Sequence, residues 1–149
     1  MDFRSWILWD EFHNGQPDVA QYIKREWDNH YALHGAEWNP KLEEWEEGVK
    51  DWWNSDDYEK DRATYKPVYD LLIPYYNDDE HFDDFTFRIE FPSRIWQDDI
   101  VTVEIYYDKR GDNYNDTHYI EIKGTRATIA EEISKALRND ANLPKQNNG

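Results

Sequence analysis

The sequence predicts an α+β fold: an acidic helical N-terminal part, then a three-stranded antiparallel meander and a C-terminal helix. Three observations predict it. Apolar residues recur at helical spacing through the first half of the chain. After the turn Asn77-Asp78-Asp79-Glu80 the apolar period becomes two, as in half-buried strands. Thr128-Ile129-Ala130-Glu131 then has the capping-box pattern that opens a last helix. Helices followed by a run of strands favour α+β over an alternating parallel arrangement.

The elements follow in order. Pro17-Asp18 opens a helix with Val19, Tyr22, Ile23 and Trp27 on one face and Gly35 as its stop. Asn39-Pro40 is an N-cap followed by proline at the first helical position. Leu42, Trp45, Val49, Trp52 and Trp53 continue it at helical spacing. A third helix runs from about Asp56 toward Tyr65, broken or bent at Pro67, and resumes through Leu72 before Pro74. Phe85, Phe87, Ile89 and Phe91 form one face of a first strand, and Val101, Val103, Ile105 and Tyr107 one face of a second, Ile100 to Tyr107. The Gly111-Asp112-Asn113 turn leads to a third strand, Thr117 to Lys123, and the last helix runs to about Arg138. A single domain over 1–149 is expected, with 1–76 mainly helical and acidic, 82–138 a meander plus helix, and a flexible tail over 139–149.

Composition bounds the function. The chain has 149 residues, formal net charge −16 and mean hydropathy −1.11, but 17% aromatics with eight Trp and eleven Tyr. Disordered segments are poor in aromatics, so a folded chain with a strongly charged skin reconciles these values. Residues 1–90 hold 23 acidic and 9 basic side chains (net −14), and residues 91–149 hold 10 and 8 (net −2), summing to −16. Nucleic acid and anionic membranes would repel such a surface, whereas a basic protein would be drawn to it. With no cysteine there are no disulfides or thiolate metal sites. The apolar run in Met1–Asp10 is too short for a signal peptide or membrane span, so a cytoplasmic location is expected.

The second helix carries the sharpest signal. Glu43, Glu44, Glu47 and Asp51 lie opposite its apolar arc. Glu43 and Glu47 are four apart, as are Glu47 and Asp51, and each like-charged pair costs the helix about 0.2–0.5 kcal/mol. Lys50, through Glu46, offsets only part of this. Asp56 and Asp57 extend the acidic run, and Asp78, Asp79, Glu80, Asp83 and Asp84 form a second group. Carboxylates four residues apart advance about 6 Å along a helix, against about 3.4 Å per nucleotide on one DNA strand. The expected function is therefore a nucleic-acid-mimicking inhibitor that occupies the basic groove of a nuclease or other nucleic-acid-binding effector. A phage-encoded anti-restriction or anti-CRISPR protein, acting in the host cytoplasm without cofactor or metal, is the expected type. A toxin-immunity protein using the same electrostatics is the alternative.

Enzyme constellations are few. Glu26, His30 and His34 are spaced four apart and supply two His plus a carboxylate, a metal-ligand set. Asp108, Asp112 and Asp116 lack the spacing of a calcium-binding EF-hand loop. Glu121-Ile122-Lys123, with Asp99 or Asp98 ahead of the second strand, resembles the acidic residue and Glu-x-Lys arrangement of PD-(D/E)xK nucleases. The resemblance covers residues 84–138, without the usual Pro-Asp pair. It implies carboxylates holding a divalent metal and a lysine assisting water attack. No phosphate-binding glycine loop or serine-hydrolase elbow is present.

Overall fold

The computed structural model describes residues 3–15, 18–35, 39–92, 99–111, 117–140 and 143. Eight elements run in the order α1 (Phe3–Asn14), α2 (Val19–His34), α3 (Pro40–Trp53), α4 (Asp56–Tyr76), β1 (Phe82–Glu90), β2 (Ile100–Lys109), β3 (His118–Thr125) and α5 (Ile129–Asn139). The fold is α+β. The chain divides into two compact units, Met1–Ala63 and Thr64–Gly149, with the division inside α4.

In the first unit, α2 begins at Asp18, whose carboxylate accepts from the Gln21 amide at 3.1 Å, and ends at Gly35 with φ of 75°. That positive φ suits glycine, which has no Cβ to clash. Asn39 caps α3 by accepting from the Lys41 amide at 3.0 Å, and Pro40 follows at the start. Pro17 lies outside the described residues. The helix α1 is additional to the sequence expectation. Its Ile7 and Leu8 are buried with Tyr22 and Ile23 of α2 and Val49 and Trp52 of α3. Phe3 meets Trp52 edge-on at 5.6 Å and Trp45 at 6.5 Å, and Tyr58 meets Trp52 at 5.2 Å. Edge-to-face pairs of this kind contribute about 0.5–1.5 kcal/mol each beyond their area burial.

One polar cluster sits inside these aromatics. The Asp61 side chain is fully buried. Its Oδ2 accepts from the Trp52 indole at 2.8 Å and from Arg4 at 3.3 Å, joining α3, α1 and α4. A buried carboxylate is tolerated only when hydrogen-bonded and charge-paired in this way. Nearby, Glu11 accepts from Tyr58 at 2.7 Å and from the Arg62 guanidinium. Partial burial, with the Glu11 bond second, pushes the Tyr58 phenol up to about 12.

The α4 helix corrects the expected break. It is continuous from Asp56 to Tyr76 with both Pro67 and Pro74 inside it. Proline removes one backbone donor and crowds the preceding turn, which disfavours but does not forbid helix. Tyr65, Val68, Leu72 and Tyr75 are buried on both sides of Pro67, and this apolar anchoring holds the helix together. The Ala63 carbonyl, which Pro67 cannot reach with an N–H, coincides with the division between the two units.

In the second unit the sheet has order β1-β2-β3, both pairs antiparallel. The register places Phe85 opposite Tyr107, Ile89 opposite Val103, and Val103 opposite Ile122, so these side chains share one face. All five are buried. Tyr75 of α4 stacks on Phe85 at 5.6 Å, and Ile129 and Ile133 of α5 are also buried. Gly124 lets α5 approach: a Cβ there would lie 3.0 Å from Thr128 Oγ1 and 3.2 Å from Ile129 Cα.

One more expectation changes here. Thr128 is the N-cap residue of α5, but its side chain makes no capping bond. Its hydroxyl instead accepts from the Thr125 amide at 2.9 Å, tying the helix start to the end of β3. Within the segment expected as a tail, Asp140 accepts from the Tyr107 hydroxyl at 3.3 Å and Leu143 is buried. Apolar burial holds Leu143 down. Residues 141–142 and 144–149 lie outside the described residues.

Candidate functional site

The α3 helix presents its acidic face as the spacing predicts. Val49 and Trp52 are buried and Leu42, Trp45 and Trp53 half-buried, so the helix is rooted along its apolar arc. Glu43, Glu44, Glu47 and Asp51 are all exposed. Among the described residues Glu44, Glu47 and Asp51 have no ion-pair partner. Lys50 is committed to Glu46 at 3.4 Å, one turn back on the helix. Glu43, Glu47 and Asp51 therefore form a row rising by about 6 Å per step on a rigid support.

Asp56 and Asp57 have a local role that the sequence reading did not assign. They occupy the first turn of α4, where the helix macrodipole favours carboxylates by about 0.3–1 kcal/mol each. Asp56 is exposed and Asp57 half-buried. The Ser55 hydroxyl links this turn to α3: it donates to the Trp52 carbonyl at 2.9 Å and accepts from the Asp57 amide at 3.2 Å.

The second acidic group belongs to the other compact unit and is partly neutralised. Asp78 accepts from His81, at 3.1 Å from its amide and 2.8 Å from its imidazole, which closes the turn ahead of β1. Arg110 donates to the Asp79 carbonyl and lies 3.9 Å from Asp83. Glu80 and Asp84 are exposed, as are Asp79 and Asp83. Arg110 is 26 residues beyond Asp84, and only the pairing of Phe82 with Lys109 brings it here.

The register does not bring Asp99 and Glu121 of the nuclease-like set together. Glu121 faces Glu104 across the ladder, whereas Asp99 precedes Ile100, which pairs with Thr125. Asp99 and Glu121 are thus five strand positions apart, about 16 Å. Glu121 instead accepts from the Tyr119 hydroxyl at 2.9 Å and lies 3.6 Å from Lys123. Asp98 lies outside the described residues, as do Asp112 and Asp116 of the calcium-like run. His30 and His34 stand with ring centroids 5.0 Å apart beside Glu26 on α2. Among the described residues no group of three or more His, Cys, Asp or Glu is placed to hold a metal ion.

Two features escaped the sequence reading. The open face of the sheet carries a linked polar row: Arg88 donates to Glu104 at 2.8 Å, Tyr106 donates to the same oxygen at 3.0 Å, and Tyr106 and Tyr119 meet at 4.9 Å. Period-two alternation assigns these residues to the polar face, but only register makes them neighbours. In the first unit, a cleft of about 420 Å³ is lined by Asp10, Asp18, Lys24, Arg25, Asp28 and two uncharged residues. Its charges are mutually engaged, Lys24 with Asp28 at 2.9 Å and Arg25 over the Tyr22 ring at 5.2 Å.

No protein-family model, curated protein or solved structure matches this chain. Among the described residues no helix is long and apolar enough to cross a membrane.

Proposed function

We propose that this chain acts by binding a basic protein surface through the acidic face of α3, occupying a groove built for nucleic acid. The observation that supports the reading is the exposed row Glu43, Glu47 and Asp51, with Glu44 beside it, on a helix anchored by Val49 and Trp52. Fixed carboxylates engage a basic groove with little ordering cost, because the helix has already lost its backbone freedom. Long-range attraction from net charge −16 speeds the encounter with a cationic partner. Asp56 and Asp57 extend the row. The group Asp78, Asp79, Glu80, Asp83 and Asp84 is a secondary contact, weakened by His81 and Arg110. The partner class is a nuclease or another nucleic-acid-binding protein, as for an anti-restriction or anti-CRISPR inhibitor. The mechanism is steric and electrostatic, with no bond made or broken.

The test is affinity capture from host lysate at low and high salt, with retained proteins identified by mass spectrometry and challenged with duplex DNA. A nucleic-acid-binding protein that is lost at high salt, displaced by DNA, and not captured by the Glu43→Lys, Glu47→Lys, Asp51→Lys variant supports the reading. Capture that survives the triple reversal removes α3 as the binding face.

A further inference from the structure

Among the described residues the sheet ends on β3, and no further strand pairs with that edge. Successive residues of an edge strand point their backbone groups alternately inward and outward. The Thr125 amide donates to Thr128 Oγ1 and its carbonyl accepts from the Thr128 amide at 3.1 Å, so Thr125 faces away from β2. By alternation, Tyr119, Glu121 and Lys123 also direct their N–H and C=O groups outward. Among the described residues none of these three has a backbone partner on that side. Pairing of β3 with β2 runs from His118 to Thr125 without a register shift. The opposite edge differs: β1 carries an irregularity between Phe82 and Asp84, and its Arg88 is committed to Glu104 at 2.7 Å. An open, regular edge is a template for another strand.

We infer that β3 pairs antiparallel with β3 of a second copy of this chain, about a twofold axis at Ile122, joining two sheets into one of six strands. Charge selects both the partner and the register. Centring on Ile122 sets Glu121 opposite Lys123 of the other copy, and Lys123 opposite its Glu121. Tyr119 then faces Thr125, whose outward N–H and C=O are already held by Thr128, so the exchanged bonds are those of Glu121 and Lys123. Glu121 and Lys123 both direct their backbone groups outward, so each facing pair exchanges two hydrogen bonds. Centring on Glu121 or on Lys123 would instead set like charges face to face, which is destabilising. In the Ile122 register the Glu121–Lys123 contact within each strand, 3.6 Å, becomes half of a four-charge square in which every neighbour is opposite in sign. The strand belongs to residues 91–149, which carry only −2 of the −16 total, so two copies meet there with little repulsion. This inference is independent of the role proposed for α3.

The experiment is sedimentation equilibrium of the full chain across concentration, with hydrogen exchange of the Glu121 and Lys123 amides on the same samples. The expected result is a concentration-dependent dimer in which those two amides become protected. Glu121→Lys sets two lysine pairs face to face and should weaken association by about tenfold or more. Adding Lys123→Glu to it restores the alternation and should restore the dimer. A monomer at every concentration overturns the inference. So does a dimer indifferent to Glu121→Lys, or one whose Glu121 and Lys123 amides stay unprotected.

Discussion

Replacing Trp52 with phenylalanine isolates the bond that holds the buried Asp61. The indole donates to Asp61 Oδ2 at 2.8 Å, and the carboxylate is wholly buried. A hydrogen bond to a charged group contributes about 1.5–3 kcal/mol. The bond is short and shielded from water, so the upper half of that range is expected. Arg4 pairs with Asp61 at 3.3 Å, with a side chain 19% exposed. Arg4→Ala should cost about 2–3 kcal/mol, below the 3–5 kcal/mol of a fully buried pair, because water can reach the vacated side. The control is Trp45→Phe, which removes similar atoms from the same helix without a hydrogen bond to a buried charge. Urea unfolding followed by tryptophan fluorescence is the assay, since seven of the eight tryptophans fall within residues 1–53. With a slope of about 1 kcal/mol per molar urea, Trp52→Phe should lower the midpoint by about 2 M more than the control does. Equal shifts for Trp52→Phe and Trp45→Phe would refute the reasoning, because ring size alone would then explain the loss.

Three other outcomes follow from the geometry. The Tyr119 phenol donates to Glu121, and this bond first, then desolvation, holds it protonated up to about 12. A folded value above the unfolded one means its contribution to stability is complete below pH about 10 and is lost as pH rises through about 12. Titration by NMR should show this late ionisation, and Glu121→Gln should bring it back toward 10. Gly124→Ala places a methyl 3.0 Å from Thr128 Oγ1 and 3.2 Å from the Ile129 backbone, so α5 must shift. A loss of about 1–3 kcal/mol is expected by thermal unfolding, and an unchanged midpoint would show that the helix start yields freely. Pro67→Ala gives Ala63 an amide donor one turn along α4 and should stabilise by about 1–3 kcal/mol in the same assay, less than the full proline penalty because the native helix has already accommodated the ring.

Much of the fold was legible in local pattern. Asp18 with Gly35, and Asn39 with Pro40, marked two helices whose caps the structure contains. The alternation from Phe85 to Ile89 and from Val101 to Tyr107 fixed which side chains turn inward. Helix α1 escaped because its apolar run was weighed only against a signal peptide or membrane span, although Gly15, with φ of 106°, marks its end and Ile7 and Leu8 beside Phe3 are what packing needed. The proline rule misled at Pro67, since a propensity penalty of about 3 kcal/mol is smaller than the burial of Tyr65, Val68, Leu72 and Tyr75 can supply. The capping box at Thr128 misled differently. Its hydroxyl had a second suitor in Thr125, which sequence spacing does not reveal.

The acidic face of α3 was determined by sequence alone, because a helix converts spacing into direction at 100° per residue and the apolar arc settles which side stays wet. Everything that depends on two distant segments meeting was decided by tertiary structure. Strand register brought Arg110 to Asp83, set Glu121 against Glu104 instead of Asp99, and left β3 at the edge of the sheet among the described residues. Helix packing drew Arg4 and Trp52 onto Asp61. Periodicity states which face a side chain occupies, but a ladder can slide by two residues without changing any face, and only the packed core selects one register.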